Sequence, residues 1–416
     1  MTKVNKPKIR FKKFKDSWSR RKLSDTQTDF KDGNYGEAYP KETDLTSSIQ
    51  GIPFLRGSDL DNGKLTLTNA RYITQSKHNE LVSGHLIEDD IVIAVRGSLG
   101  SLGYVGPDSV GWNINSQLAI IRTRKMELIG NYLIQFLLSN RGNKEISSHI
   151  TGTALKQLPI KQLKNIKVPV PNFQEQSAIG SLFRTLDDLL SSYKDNLANY
   201  QSLKATMLSK MFPKAGQTVP EIRLDGFKGE WELLEINDLA DDFQSGGTPK
   251  TNVQEYWNGD IPWIQSSDLE TNCLFEIKVQ KSISEKGLKN SSAKIIPKDS
   301  IAVVTRVGVG KLVVMRHEYA TSQDFLSLSN LKSNIEFTAY LLYRLLQKEV
   351  TQLQGTSIKG ITKVELLSKK VLIPSLLEQQ AIGTYFTNLD NLISAHQEKI
   401  SQLETFKKKL LQDMFI

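Results

Sequence analysis

The sequence predicts an α+β fold in which two mixed α/β globular units are separated by two long helices. These helices form an antiparallel coiled coil, and the whole carries a pseudo-twofold internal repeat. Three observations predict this fold. A 42-residue segment occurs twice in the 416-residue chain, both copies carry a heptad pattern, and the segments preceding them resemble each other more weakly. A repeat has to be identified first, because a missed repeat leads to a wrong architecture.

The repeated segment runs from 171 to 212 and again from 374 to 415, with 15 of the 42 aligned positions identical and no gap. The register continues upstream, where TGTALK at 151–156 matches QGTSIK at 354–359. A fainter match joins IPFLRGSDL, which begins at Ile52, to IPWIQSSDL, which begins at Ile261. The order along the chain is therefore globular unit, helix, globular unit, helix.

Both copies predict a long helix with one apolar seam. Apolar or aromatic residues recur at steps of four and three, which is the rhythm of a coiled coil. The predicted seam residues are Ile179, Phe183, Leu186, Leu190, Tyr193 and Leu197 in the first copy and Ile382, Phe386, Leu389, Ile393, His396 and Ile400 in the second. A helix of about 40 residues, roughly 60 Å long, has no core of its own. Because a whole globular unit separates the two helices, we expect them to pair antiparallel.

The globular units have mixed secondary-structure signals. DDIVIAV at 89–95 and DSIAVVT at 299–305 are typical of strands, whereas NYLIQFLLSN at 131–140 and TAYLLYRLLQ at 338–347 have helical spacing. The predicted domains are a first globular unit at 1–170, a central helix at 171–213, a second globular unit at 214–373 and a C-terminal helix at 374–416.

Composition narrows the class of protein. The net charge of +9 favours a polyanionic partner, although a basic protein without one stays an alternative. A single cysteine, Cys273, excludes a disulfide within the chain and a cysteine-rich zinc site. No apolar run reaches the roughly 18 residues that span a bilayer, and the basic N-terminus has no apolar stretch after it. We therefore expect a cytoplasmic protein that does not enter membranes.

Motifs for cofactor and metal chemistry are missing. RVGVGKL at 306–312 lacks the spacing of a phosphate loop, and the glycine-rich segment at 97–106 is followed by strand rather than helix. The five histidines have no metal-ligand spacing. Asp89 recurs as Asp299 and is better interpreted as a turn cap than as a metal ligand. The sequence thus predicts no catalytic, cofactor-binding or metal site in this chain.

Together these features resemble the specificity (S) subunits of type I restriction–modification systems, over the whole chain. The resemblance rests on the two EQ-x-AIG…F…LD-x-L helices, Glu175–Leu189 and Glu378–Leu392, each following a diverged unit that ends in GT-x-[LI]-K. It implies that each globular unit is a target recognition domain that reads one half of a bipartite site in double-stranded DNA. It also implies that the paired helices set the spacing and dock modification subunits.

The resemblance further implies which partners bring the chemistry. Two modification (methyltransferase) subunits would bring S-adenosylmethionine, and restriction (translocase and nuclease) subunits would use ATP and Mg. The chain itself would be non-catalytic. In agreement, it has no Asn-Pro-Pro-aromatic segment of the kind that adenine methyltransferases use.

No base contact carries over from the family, because its recognition domains vary. Candidate DNA-binding residues are therefore positions shared by both copies in loops, namely Arg96 and Arg306, Gln117 and Gln323, Thr153 and Thr356, and Lys156 and Lys359. Weaker candidates for phosphate contacts in the first copy are Lys12, Lys13, Arg20 and Arg21. Shared residues favour backbone or scaffold contacts, because residues that read a sequence should differ between copies.

Two other interpretations stay open at this point. The first is a coiled-coil adaptor, with DNA binding or without it. The second is a self-sufficient DNA methyltransferase or nuclease. The basic charge weighs against an adaptor without a DNA role, and the missing cofactor motifs weigh against the enzyme.

Overall fold

A computed structural model describes residues 7–353 and 360–416 of the chain. The chain divides into two compact units. Unit 1 contains Met1–Lys194 and Glu398–Ile416, and unit 2 contains Asp195–Gln397. Each unit therefore includes a globular part and a portion of both long helices.

Unit 1 holds eleven of the strands and four short α-helices in the described part of the chain. Its strands are β1 Ser19–Lys22, β2 Asp29–Asp32, β3 Ile52–Leu55, β4 Leu60–Asp61, β5 Lys64–Leu65, β6 Arg71–Ile73, β7 Ile91–Ala94, β8 Leu102–Tyr104, β9 Asn113–Ile114, β10 Leu118–Arg122 and β11 Lys167–Val170. Its short helices are α1 Gln75–Glu80, α2 Gly130–Leu138, α3 Asn140–Ser148 and α4 Ile160–Leu163. The first long helix, α5, spans Phe173–Lys210.

Unit 2 follows the same plan. Its strands are β12 Glu232–Glu235, β13 Ala240–Ser245, β14 Trp257–Ile264, β15 Lys281–Ile283, β16 Ser300–Val304, β17 Leu312–Met315, β18 Ala320–Thr321, β19 Phe325–Leu331 and β20 Lys370–Ile373. Its helices before the second long helix are α6 Glu285–Lys289, α7 Ile335–Leu353 and α8 Lys363–Leu367. The second long helix, α9, spans Leu376–Asp413.

The sheets of the two units have matching strand orders. The central antiparallel sheet runs β2-β10-β7-β8 in unit 1 and β13-β19-β16-β17 in unit 2. A three-stranded sheet, β6-β3-β9 or β15-β14-β18, combines one antiparallel and one parallel pair in each unit. A two-stranded sheet joins β1 to β11 and β12 to β20. The predicted internal repeat of mixed α/β units is thus confirmed at the level of topology.

The two long helices pack antiparallel within each unit. In unit 1 the end of α9 packs on the start of α5, and the rings of Phe183 and Phe415 stack with centroids 6.2 Å apart. In unit 2 the equivalent rings of Phe386 and Phe212 stack at 6.1 Å. All twelve predicted seam residues are buried or half-buried. The half-buried ones, Tyr193, Leu197, Ile393 and His396, lie away from the helix ends that the globular cores cover.

A repeated ion pair occupies the seam. Lys407 donates to Asp187 at 2.5 Å in unit 1, and Lys204 donates to Asp390 at 2.5 Å in unit 2. Each lysine lies four residues after an apolar seam residue, at the next position of the seam. A cation at such a position needs a carboxylate partner on the facing helix. These pairs specify an antiparallel register, because a slipped register would leave a half-buried charge unpaired.

Candidate nucleic-acid interface

At one end of the central sheet in unit 1, where β7 ends and β10 begins, predicted site residues that are distant in sequence lie together. The backbone N–H groups of Val95 and Arg96, at the end of β7, both donate to the carbonyl of Gln117, at 2.8 and 3.2 Å. Gln117 directly precedes β10, the neighbouring antiparallel strand. Both side chains are exposed. Arg96 and Gln117 therefore form one polar surface.

A closed hairpin extends this surface. Thr151 and Gln157 exchange two backbone hydrogen bonds of 2.9 Å, and the N–H of Leu158 donates to the carbonyl of Val95 at 3.0 Å. The five residues between them are all exposed, including the predicted candidates Thr153 and Lys156. The fold thus places the Gly-Thr loop beside the end of β7. We call Arg96, Gln117 and residues 151–157 the basic edge of unit 1.

Unit 2 has an equivalent edge. The N–H of Ile361 donates to the carbonyl of Thr305 at 2.8 Å, as Leu158 does to Val95 in unit 1. Arg306 and Gln323 are exposed there. The matching candidates Thr356 and Lys359 lie outside the described residues.

The residues around the shared positions differ between the units. In unit 1 the Arg96 guanidinium lies 5.3 Å from the ring centroid of Tyr35, which is 43% exposed. Burial, and after it the charge of Asp32, raises the pKa of the Tyr35 phenol above its usual value. In unit 2 the Thr248 hydroxyl donates to the side-chain oxygen of Gln323.

A further pair of differing residues lies next to these edges and was not predicted. Arg56 precedes a turn at Gly57 that lies close to Ser98, since a β carbon built at Gly57 would be 3.4 Å from Ser98. Gln265 begins the equivalent turn of unit 2. That turn lies close to Gly308, since a β carbon built at Gly308 would be 3.6 Å from Ser266. Arginine suits guanine and glutamine suits adenine in the major groove. The signal was present in the matched segments IPFLRGSDL and IPWIQSSDL, which differ at this polar position.

The basic candidates near the N-terminus lie elsewhere in unit 1. Arg20 and Arg21 belong to β1, in the separate two-stranded sheet with β11. Arg20 pairs with Glu145 at 2.9 Å and Arg21 with Glu127 at 3.1 Å. Lys13 lies 4.9 Å from the ring of Phe14, and Lys12 is exposed beside it. Among the described residues, no hydrogen bond or ion pair joins these four side chains to the basic edge.

A buried acid–base contact fixes the start of each long helix. Glu175 of α5 is fully buried and accepts from Arg10 Nε at 2.6 Å, from Arg10 Nη2 at 2.7 Å and from Trp18 Nε1 at 3.0 Å. The hydrogen bond to Glu175 raises the pKa of Arg10 above its usual value. In unit 2, Arg223 makes the same bidentate contact with Glu378, at 2.8 and 2.7 Å. These contacts are structural and lie in both repeats.

Carboxylates, histidines and the cysteine form no cluster of three or more that would hold a metal ion within 7–353 and 360–416. Asp89 accepts from the N–H groups of Gly130 and Asn131 at 2.9 and 3.0 Å. It therefore caps the N-terminus of the distant helix α2 rather than a turn of its own segment, and its counterpart Asp299 pairs with Arg316 at 3.0 Å. Over the same described ranges, no helix has an apolar stretch long enough to cross a bilayer.

The chain consists of two copies of one mixed α/β module, each followed by a long helix. The family model for the type I restriction modification DNA specificity domain matches the chain twice, at residues 22–199 and 228–405. These matches cover most of the chain, and the chain belongs to this family.

Relatives that are named as specificity subunits agree with this assignment. A protein of Methanocaldococcus jannaschii named as the type I restriction enzyme MjaX specificity subunit is 23% identical over 374 residues, which are 87% of this chain and 85% of that one. The EcoR124I/EcoR124II specificity subunit of Escherichia coli is 26% identical over 258 residues, 59% of this chain and 60% of that one.

Solved structures share the fold. The S subunit of a type I restriction-modification system from M. genitalium superposes with a TM-score of 0.65 at 15% identity, covering 99% of both chains. A chain from a study of complex assembly in the type I R-M system gives a TM-score of 0.52 at 18% identity, covering 95% of this chain and 96% of that one. The predicted fold class is confirmed.

Proposed function

We propose that this chain is the DNA specificity subunit of a type I restriction–modification complex, with each unit reading one half of a bipartite site. The observation that carries the proposal is that both units present matching exposed residues at the same end of the central sheet, Arg96 with Gln117 and Arg306 with Gln323. Shared Arg96 and Arg306 suit phosphate contacts, which position a protein without reading sequence. The neighbours that differ between the units, Arg56 in unit 1 and Gln265 in unit 2, are of the types that pair with base edges. Arg56 would have to release the carbonyl of Asn69 and the carboxylate of Asp59 to do so.

The proposal assigns the chemistry to partners. The chain would be non-catalytic and would dock two modification subunits, which bind S-adenosylmethionine, while restriction subunits use ATP and Mg. The complex would act in the cytoplasm on double-stranded DNA. Methylome sequencing of cells with and without the gene tests this function, because one bipartite motif should lose methylation when the gene is deleted. An unchanged methylome in cells that express the modification subunits would contradict it.

Replacement of Arg96 or Arg306 by alanine is expected to weaken DNA binding by the assembled complex. Each variant should lose about tenfold in affinity at 0.1 M salt, for matched and unmatched DNA alike, with a salt slope shallower by about one. Fluorescence anisotropy with duplexes at several salt concentrations measures both quantities. The matched control is Arg20→Ala, because the Arg20 side chain is already paired with Glu145 at 2.9 Å. A loss limited to one DNA sequence would instead identify a base contact.

One flank of the helix pair is suited to docking of the modification subunits. Leu189 and Phe406 in unit 1 each directly precede a seam position, and both are more than a third exposed. Leu392 and Leu203 occupy the equivalent positions in unit 2 and are also exposed. In an antiparallel helix pair, residues that directly precede these seam positions on the two helices lie opposite each other along one side of the pair. Each unit therefore presents an equivalent apolar pair, as two identical partners would require.

An aspartate on this flank is expected to weaken docking in one unit only. Leu189→Asp should reduce the affinity for one of two modification subunits by at least about tenfold, because a charge would enter an apolar contact. Leu392→Asp should do the same for the other, and the double variant should bind neither. Mass photometry of the purified subunits counts the bound copies. Ser192→Asp, on the exposed outer face of α5, is the control and should bind two; equal loss in this control would refute the assignment of the flank.

A further inference from the structure

An exposed aliphatic side chain, that of Leu155, lies at the tip of the hairpin on the basic edge of unit 1. Leu155 is 87% exposed, whereas Leu158, three residues later, is completely buried. The hairpin is closed at its base by the two backbone hydrogen bonds between Thr151 and Gln157. Leu155 is therefore held outward by a closed loop rather than left on a free chain end.

The loop is tight as well as closed. Gly152 has a φ of +91°, and a β carbon built there would lie 2.4 Å from the carbonyl oxygen of Leu155. A side chain at 152 would therefore collide with the backbone of the tip. The glycine therefore allows the chain to reverse within five residues.

The surroundings of Leu155 suit a polyanion rather than an apolar protein surface. Thr153 and Lys156, on the same loop, are exposed, and Arg96 is exposed at the end of the adjoining strand. Cations around a single apolar tip match the phosphates that flank a base step. The hairpin thus has one apolar side chain among cations. The helix flank at Leu189 instead has two apolar side chains on the same side of the helix pair.

The repeat adds an independent observation. The aliphatic position recurs as Ile358 in the second copy, together with Thr356 and Lys359, although most loops of the two units have diverged. An aliphatic side chain forms no hydrogen bond with a base edge and so reads no sequence. A contact with DNA that does not depend on the half-site would explain its retention in both copies.

We propose that Leu155 is a wedge that inserts between two stacked base pairs of the half-site bound by unit 1. Small apolar side chains on DNA-binding proteins unstack a base step in this way and kink the duplex. Lys156 and Arg96 hold the flanking phosphates while the side chain enters. The inference rests on the proposed function, since it requires that unit 1 binds DNA.

The test uses the full chain assembled with its modification subunits, and duplexes that carry 2-aminopurine at one position at a time. Fluorescence of 2-aminopurine rises when the base loses its stacking partner. With the wild-type complex we expect an increase of about threefold or more at one step in the half-site of unit 1. Leu155→Ser should abolish the increase, Leu155→Met should keep it, and the neighbouring control Ala154→Ser should leave it unchanged.

The outcomes separate the wedge from the proposed function. If Leu155→Ser binds the site and gives the wild-type fluorescence profile, or if no position responds to the wild-type complex, the wedge is refuted while the proposed function stands. If Leu155→Ser fails to assemble with the modification subunits, Leu155 is a protein contact and the wedge is again refuted. If the wild-type complex binds no bipartite site, the proposed function fails and the wedge fails with it.

Discussion

Glu175→Ala is expected to destabilise unit 1 by about 3–5 kcal/mol, because it leaves the Arg10 guanidinium partly buried without its carboxylate. Glu175 is fully buried, and the side chain of Arg10 is only 11% exposed. The variant also removes the hydrogen-bond partner of Trp18 Nε1. Without Glu175, the Arg10 guanidinium keeps its hydrogen bond to the carbonyl of Asp16 at 2.6 Å, which brings no compensating charge.

Hydrogen–deuterium exchange measures this effect unit by unit. Slowly exchanging amides in unit 1 should lose protection by about a hundredfold or more, since 1.4 kcal/mol corresponds to a factor of ten. Amides in unit 2 serve as an internal reference, because Glu378 and Arg223 remain paired there.

Two further variants make the Glu175 result interpretable. The double variant Arg10→Met with Glu175→Met removes both charges and should recover at least half of the lost stability, because apolar groups of similar volume replace a buried pair at little cost. Glu285→Ala removes a mostly exposed pair with Lys289 and should change stability by about 0.5 kcal/mol or less. Equal losses of stability from Glu175→Ala and Glu285→Ala would show that the buried pair contributes no more stability than an exposed one.

A heptad inserted into both long helices is expected to widen the gap between the half-sites without changing their sequences. Seven residues are added after Leu197 in α5 and seven after Ile400 in α9. These points lie between a unit 1 contact, Lys194 with Glu404, and a unit 2 contact, Tyr200 with His396. Both sets of contacts are therefore kept, and the seam rhythm is preserved.

The expected size follows from helix and DNA geometry. Seven residues add about 10 Å at 1.5 Å per residue, and base pairs stack at about 3.4 Å. The gap should therefore grow by at most about three base pairs. Methylome sequencing of cells that express the variant reads the new motif directly, and methylation of the original motif should disappear.

Two control insertions test whether the helix pair sets the spacing. Four residues at both points break the rhythm of four and three and should abolish methylation. Seven residues in α5 alone should also fail, because the seam cannot keep its register in unit 1 and unit 2 together. An active paired-heptad variant with an unchanged gap, or with altered half-sites, would show that the helices do not determine the spacing.

The sequence by itself determined the architecture of this protein. The repeat, the two helices and their seam are one-dimensional signals, since a heptad pattern depends on residues three and four apart. Antiparallel pairing also followed from chain order, because a whole unit separates the two helices. The family followed from the same features, and the missing cofactor motifs were visible in the residues alone.

Tertiary structure alone decided which of these residues act together. Arg96, Gln117 and Lys156 were predicted one by one, and strand pairing brought them to one edge beside Tyr35. Arg20 and Arg21 counted as free cations in the sequence, but the fold supplies Glu145 and Glu127 from more than a hundred residues away. Such contacts depend on strand register and packing between distant segments, and local periodicity carries no information about them. For the same reason, only the folded chain assigned the two ends of each long helix to different compact units.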